Sequence, residues 1–154
     1  MILYRISRPR YAADITGTGA RLTKGRWNPM GVPVVYTASS VALAALEVYV
    51  NMRKDLVAKI EFMRVDIEVP ETSVIEFIEI SDLPGNWADK VYPDVLPEIG
   101  RAWANRCSSL LLRVPAASLG GHEYNYLVNP CHPDMKSVKV VKITPFTFDT
   151  RMTV

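Results

Sequence analysis

Cysteine is scarce in this chain: Cys107 and Cys131 are the only two, and they stand 24 positions apart with no CxxC pair. That pattern suits neither a disulfide framework nor a zinc site, and a reducing cytoplasm is the expected compartment. Histidine is equally scarce, with His122 and His132 ten positions apart in turn-like sequence. Cys131 and His132 make no catalytic dyad, because neighbours in an extended chain point apart, and with ligand spacing missing around Asp134 no metal is expected. No apolar run reaches the roughly 18–20 residues that span a bilayer. The opening MILYRISRPR also lacks the continuous apolar stretch of a leader, so no membrane contact is expected. Nucleotide-binding glycine motifs are missing too. Gly17-Thr18-Gly19 has no third glycine and opens no visible helix, and Lys24-Gly25 has neither the spacing nor the following hydroxyl of a P-loop.

What the chain does have is a lopsided charge. Its net charge is +2, yet Arg5, Arg8, Arg10, Arg21, Lys24 and Arg26 face only Asp14 within the first 26 residues. Such a cluster suits a phosphate-bearing ligand, or in its plainest form a solvated basic face. A nucleic-acid-binding or ribonuclease function is the remaining class, weakened by the small net charge and by the lack of an RNA-binding aromatic motif.

No repeat or linker divides the 154 residues, and one domain over 1–154 is expected. Ile2 to Ile6 reads as a strand, Thr16 to Ala20 as a glycine-rich loop, and VPVVYTA at 32–38 as a β-branched strand. Ser39 or Ser40 then caps a helix over SVALAALEVYV. Met63, Val65, Ile67 and Val69 alternate with charged residues, the period of a strand buried on one face. Leu96, Ile99 and Trp103 set a second helix within 94–106. SLLLRVP, YNYLV, VKVVKI and FTFD are four further strand candidates. Strands outnumber helices without a βαβ rhythm, which predicts an α+β fold with a mixed or largely antiparallel, bent sheet and helices packed beside it.

Glu47 is the only polar side chain between Val41 and Val50. A helix apolar on every other side is expected to be buried, which sends this carboxylate into the core or a cleft, either as partner of a buried arginine or as a group kept for substrate. Arg26, between Gly25 and Trp27, has the planar fork that grips phosphate, or else it stacks on Trp27 as a surface cap. Tyr36 closes an apolar strand just ahead of the Glu47 helix, where it offers a ring face to a ligand or serves as a core tyrosine with a satisfied hydroxyl.

GRWN at 25–28, VVYTASS at 34–40, LEVYV, LPGNWAD at 83–89, LRVP at 112–115, NYLVNP at 125–130 and FDTR at 148–151 resemble, in order, the motifs of the RES domain. The Arg26-to-Tyr36 and Tyr36-to-Glu47 spacings of 10 and 11 residues are similar to those of the family, and the three residues match its arginine, tyrosine and glutamate. The resemblance implies a toxin of a toxin–antitoxin pair with a fold similar to ADP-ribosylating toxins. Its activity would be depletion of NAD by hydrolysis or phosphorolysis, or in some members modification of a protein. NAD is then substrate, and no cofactor is needed. The resemblance also implies a helix-turn-helix antitoxin of the Xre-like type that covers the cleft and carries the DNA binding, and a toxin homodimer. One departure stands out: the family serine after Val-Pro is replaced by Ala116, and Ser118, two residues on, either substitutes for it or is an ordinary loop serine.

The chemistry suits these residue types. Nicotinamide leaves NAD neutral from a cationic ribosyl centre, so cleavage needs stabilisation of an oxocarbenium-like transition state rather than a general acid. Glu47 is expected to hold the ribose hydroxyls and the developing charge, Arg26 the pyrophosphate or its neighbouring ribose, and Tyr36 the nicotinamide ring. Arg5, Trp27, Ser118 and Asn129 are the lesser candidates for substrate contact.

Overall fold

The computed structural model describes residues 1–153. Seven strands form one sheet: β1 (Ile2–Ser7), β2 (Val35–Ala38), β3 (Phe62–Glu68), β4 (Ile75–Phe77), β5 (Leu111–Pro115), β6 (Tyr124–Val128) and β7 (Lys139–Phe146), in the order β4-β5-β6-β2-β1-β3-β7. Only β4 and β5 run parallel, so the expected mixed α+β architecture is borne out. Four helices accompany the sheet: α1 (Thr18–Leu22), α2 (Val41–Asn51), α3 (Lys54–Val57) and α4 (Val95–Arg106). None of the described helices is long and apolar enough to cross a membrane.

Strand alternation sorts the core onto two faces. Leu3, Val35, Val65, Ile67, Leu111 and Val128 pack together on one side with Ala12, Leu110 and Val138. On the other side α4 lays Leu96 and Trp103 against Val34, Leu112, Val114 and Leu127, and α2 lays Leu43 and Ala44 against Ile6, Ala38, Phe62 and Phe148. The Ser40 hydroxyl accepts the Leu43 amide at 3.1 Å and so caps α2 as its sequence predicts.

Several expectations need correction. Of α2 only Leu43 and Ala44 are buried, while Ala42 and Val50 are exposed, so this apolar helix lies on the surface rather than inside. Thr16 to Ala20 is not wholly loop, since α1 starts at Thr18 after Gly17, whose φ of 72° is the left-handed turn glycine allows. VKVVKI and FTFD are not two strands: β7 runs on through Pro145 to Phe146 and stops there. Proline is tolerated because β7 is the sheet edge. β3 also buries Asp66 on its second face, where the carboxylate takes both arms of Arg64.

Candidate active site

Across the α2 and α4 face, register places Tyr4 opposite Ala38, Ala38 opposite Asn125, and Asn125 opposite Val114. Tyr4, Ala38 and Asn125 of this row lie in the floor of a cleft of about 670 Å³ whose walls include Glu47 of α2, the Gly25–Trp27 turn, Lys90, Tyr92 and Ser118. Among the described residues Glu47 is the only carboxylate lining it, against Arg5, Arg8, Lys24, Arg26 and Lys90. Lys24 is already paired with Asp94 at 2.6 Å.

Glu47 points into this cleft, half-buried, although α2 itself lies on the surface. Its Oε1 accepts from Ser118 Oγ at 2.8 Å and from Asn125 Nδ2 at 2.9 Å, and its Oε2 accepts nothing from the described residues. Ser118 sits on a 3-10 turn, Ala117–Leu119, that follows β5. Ala116 is fully buried among Ile6, Ala38 and Leu43, and so lies in the core.

Arg26 is held by the protein before any ligand arrives. Its Nη1 donates to the Trp87 carbonyl, its Nη2 donates to that of Asp89 at 3.0 Å, and the Tyr92 ring lies 4.7 Å beneath the guanidinium. Burial lowers its pKa, and the Tyr92 and Glu47 sides of the cleft act the other way. The stacking partner is therefore Tyr92 and not Trp27. The Trp27 side chain borders the cleft but is 3% exposed, packed with Leu96 and Trp103 in the α4 core.

Tyr36 lines the cleft with its ring and spends its hydroxyl inward. The hydroxyl donates to Asn28 Oδ1 at 2.6 Å and accepts the Trp27 amide at 3.2 Å. Burial pushes its pKa far above the ordinary tyrosine value, and the Trp27 hydrogen bond offsets only part of that. Asn28, fully buried, donates in turn to the carbonyls of Ala20, Thr23 and Pro29, so the GRWN turn is tied from α1 to β2.

Two candidates fall outside this constellation. Arg5 borders the cleft, but strand alternation turns its side chain to the face of Leu3, where Nη2 donates to the Tyr11 and Ala12 carbonyls at 2.9 Å each. Asn129 is 1% exposed and lies outside the cleft lining. Its Nδ2 donates to Ala104 at the end of α4 and its Oδ1 accepts the Cys131 amide, so it fastens the β6 exit to α4. The residue of NYLVNP that does reach the site is Asn125. A polar residue inside an apolar strand was its only signal.

The fold and cleft define an α+β domain with one hydrogen-bonded carboxylate in a cleft whose other charged lining residues are cations. The RES domain family matches residues 2–149, and the chain belongs to it. It is 38% identical to "Toxin Res" of Photorhabdus laumondii over 99% of this chain and 97% of that one. It is also 38% identical to "Prs ADP-ribosylating toxin" of Sphingobium sp. strain YBL2, over 95% and 91% of the two. Among solved structures, the M. tuberculosis MbcT–MbcA toxin–antitoxin complex contains a chain of the same fold, with a TM-score of 0.73 at 19% identity, covering 95% of this chain and 84% of that one.

Proposed function

We propose that this chain is the toxin of a toxin–antitoxin pair and that it consumes NAD by breaking the bond between nicotinamide and ribose. The observation that carries this reading is the Glu47 carboxylate, half-occupied by two neutral donors and facing a cleft of about 670 Å³ whose other charged lining residues are all cations. A dinucleotide brings a ribosyl centre that turns cationic as nicotinamide leaves and a pyrophosphate that is anionic throughout. One carboxylate beside several cations matches both demands. Glu47 Oε2 takes the ribose hydroxyls and stabilises the developing positive charge. Because the Arg26 fork already bridges two carbonyls, it contributes its positive charge and remaining N–H groups to phosphate or ribose rather than a free bidentate grip. The Tyr36 ring packs on the nicotinamide side of the cleft.

Water or phosphate is the acceptor in this reading. Transfer to a protein side chain is the alternative, favoured by the name of the Sphingobium relative, an ADP-ribosylating toxin. The toxin–antitoxin complex of the same fold supports an antitoxin partner, which on the family resemblance is an Xre-like helix-turn-helix protein. The test is NAD loss over time with and without phosphate, beside a Glu47→Gln variant of matched folding. Loss in wild type alone supports the reading, and phosphate dependence selects phosphorolysis. Label from NAD appearing on protein with little free ADP-ribose selects the transferase, and an intact NAD pool with no labelled protein overturns both.

A further inference from the structure

Asn125 occupies its place on β6 at a cost. Its Nδ2 donates to Glu47, but its Oδ1 is sealed from solvent without any donor, between cross-strand neighbours Ala38 and Val114 whose side chains carry none. Turning the amide over brings no relief, because Oδ1 would then oppose the carboxylate, acceptor against acceptor. A buried carbonyl left unpaired is unfavourable, and an apolar side chain of similar shape would remove the defect, so folding alone does not favour asparagine here.

We propose that Asn125 is a positioning residue for Glu47, and that Ser118 is the second. The two approach from different elements, one from β6 and one from the turn after β5, and converge on the same oxygen. Two donors on Oε1 fix the rotamer of the Glu47 side chain and leave Oε2 for the substrate. Ser118 supplies its hydroxyl from the turn, two residues beyond the buried Ala116. The inference rests on the NAD-cleaving reading for its kinetic consequence, though not for its geometry.

Steady-state NAD consumption and thermal melting of the wild type, Glu47→Gln, Asn125→Leu, Ser118→Ala and Ser118→Thr test it. Asn125→Leu and Ser118→Ala are expected to lower kcat at least about 10-fold with KM changed less than about 3-fold, and Ser118→Thr to recover most of the loss. Asn125→Leu is expected to melt no lower than wild type. Unchanged kcat in Asn125→Leu and Ser118→Ala, or a kcat loss in Asn125→Leu matched by a lowered melting temperature, overturns the proposal. If the wild type itself leaves NAD intact, the functional reading fails, and a second measurement still decides this one. In protein carrying 13C at glutamate Cδ, the resonance absent from Glu47→Gln should move in both Asn125→Leu and Ser118→Ala. A resonance that stays in place rejects the positioning role.

Discussion

The hydroxyl of Tyr36 closes a bridge that ends at Arg26. It holds Asn28 Oδ1 and the Trp27 amide, and a methyl group added at Gly25 would stand 2.5 Å from Asn28 Oδ1 and 2.7 Å from the Tyr36 oxygen. Tyr36→Phe keeps the ring and strands the buried Asn28 acceptor, at about 1–3 kcal/mol. At roughly 2–4 °C per kcal/mol for a domain of this size, a melting temperature lowered by several degrees is expected. A variant that melts as wild type does would show that the hydroxyl holds nothing. Arg26→Lys tests the neighbouring link: a lysine keeps the charge but cannot reach the Trp87 and Asp89 carbonyls as one planar group, so kcat/KM for NAD should fall about 10-fold or more, and full activity would remove Arg26 from the site. At this scale the sequence was informative where chemistry is local. Glu47 was legible as the lone charge on an apolar helix, whereas Asn28 and Asn125 take their meaning from partners 8 and 78 positions away. Asn129 misled because it shares the motif with Asn125 but faces α4.

Elements with a local signal were readable: the β3 alternation of Val65 and Ile67, the α4 spacing of Leu96 and Trp103, and the serine cap of α2. Four-residue α3 and three-residue β4 have too few positions for a period, and they exist because neighbours complete them. β4 shows how. Glu76 accepts from Ser108 and Ser109 at 2.6 and 3.0 Å and from Arg106 at 2.7 Å, which ties the short strand to the end of α4 and the start of β5. Burial works against its charge, but these donors outweigh it and hold its pKa below the ordinary carboxylate value. A depressed folded pKa contributes stability above the unfolded value of about 4.3, and that stability is lost as pH falls through the lower folded value. Glu76→Gln should therefore melt below wild type at pH 7, with the gap closing below about pH 4. A gap that persists in acid would assign the effect to shape rather than charge. α4 rests on the GRWN turn equally closely, since a Cβ at Gly100 would overlap the Trp27 carbonyl. Gly100→Ala is expected to cost about 1–3 kcal/mol or more, as overpacked core positions do. A wild-type melting temperature in that variant would mean that the helix and turn separate freely.

The order of seven strands was beyond the sequence, because β1 gains its partners from β2 and β3, and β2 from β6, which lies some 90 positions along the chain, and no local pattern encodes such pairings. That order is what assembles the cleft, for its floor row of Tyr4, Ala38 and Asn125 comes from three strands far apart in sequence. Arg8, Lys24 and Arg26 of the basic N-terminal third line it together with Lys90, so part of the charge asymmetry visible in the sequence gathers at one cavity. Two consequences follow for the molecule as a whole. A ligand that binds only the folded protein stabilises it by about 2.7 kcal/mol at 100 times its Kd, which for a domain of this size is roughly 5–10 °C in melting temperature. ADP-ribose, which carries the pyrophosphate and both riboses but no scissile bond to nicotinamide, is expected to give a shift of that size with wild-type protein. Because Arg26 and Lys90 lie on the cleft wall and screening weakens attraction between partly exposed charges, the shift at fixed ligand concentration should shrink when salt is raised from low to molar concentration. A shift that ignores salt would place the binding energy in the rings rather than the phosphates, and no shift at any salt would mean that the cleft takes some other ligand.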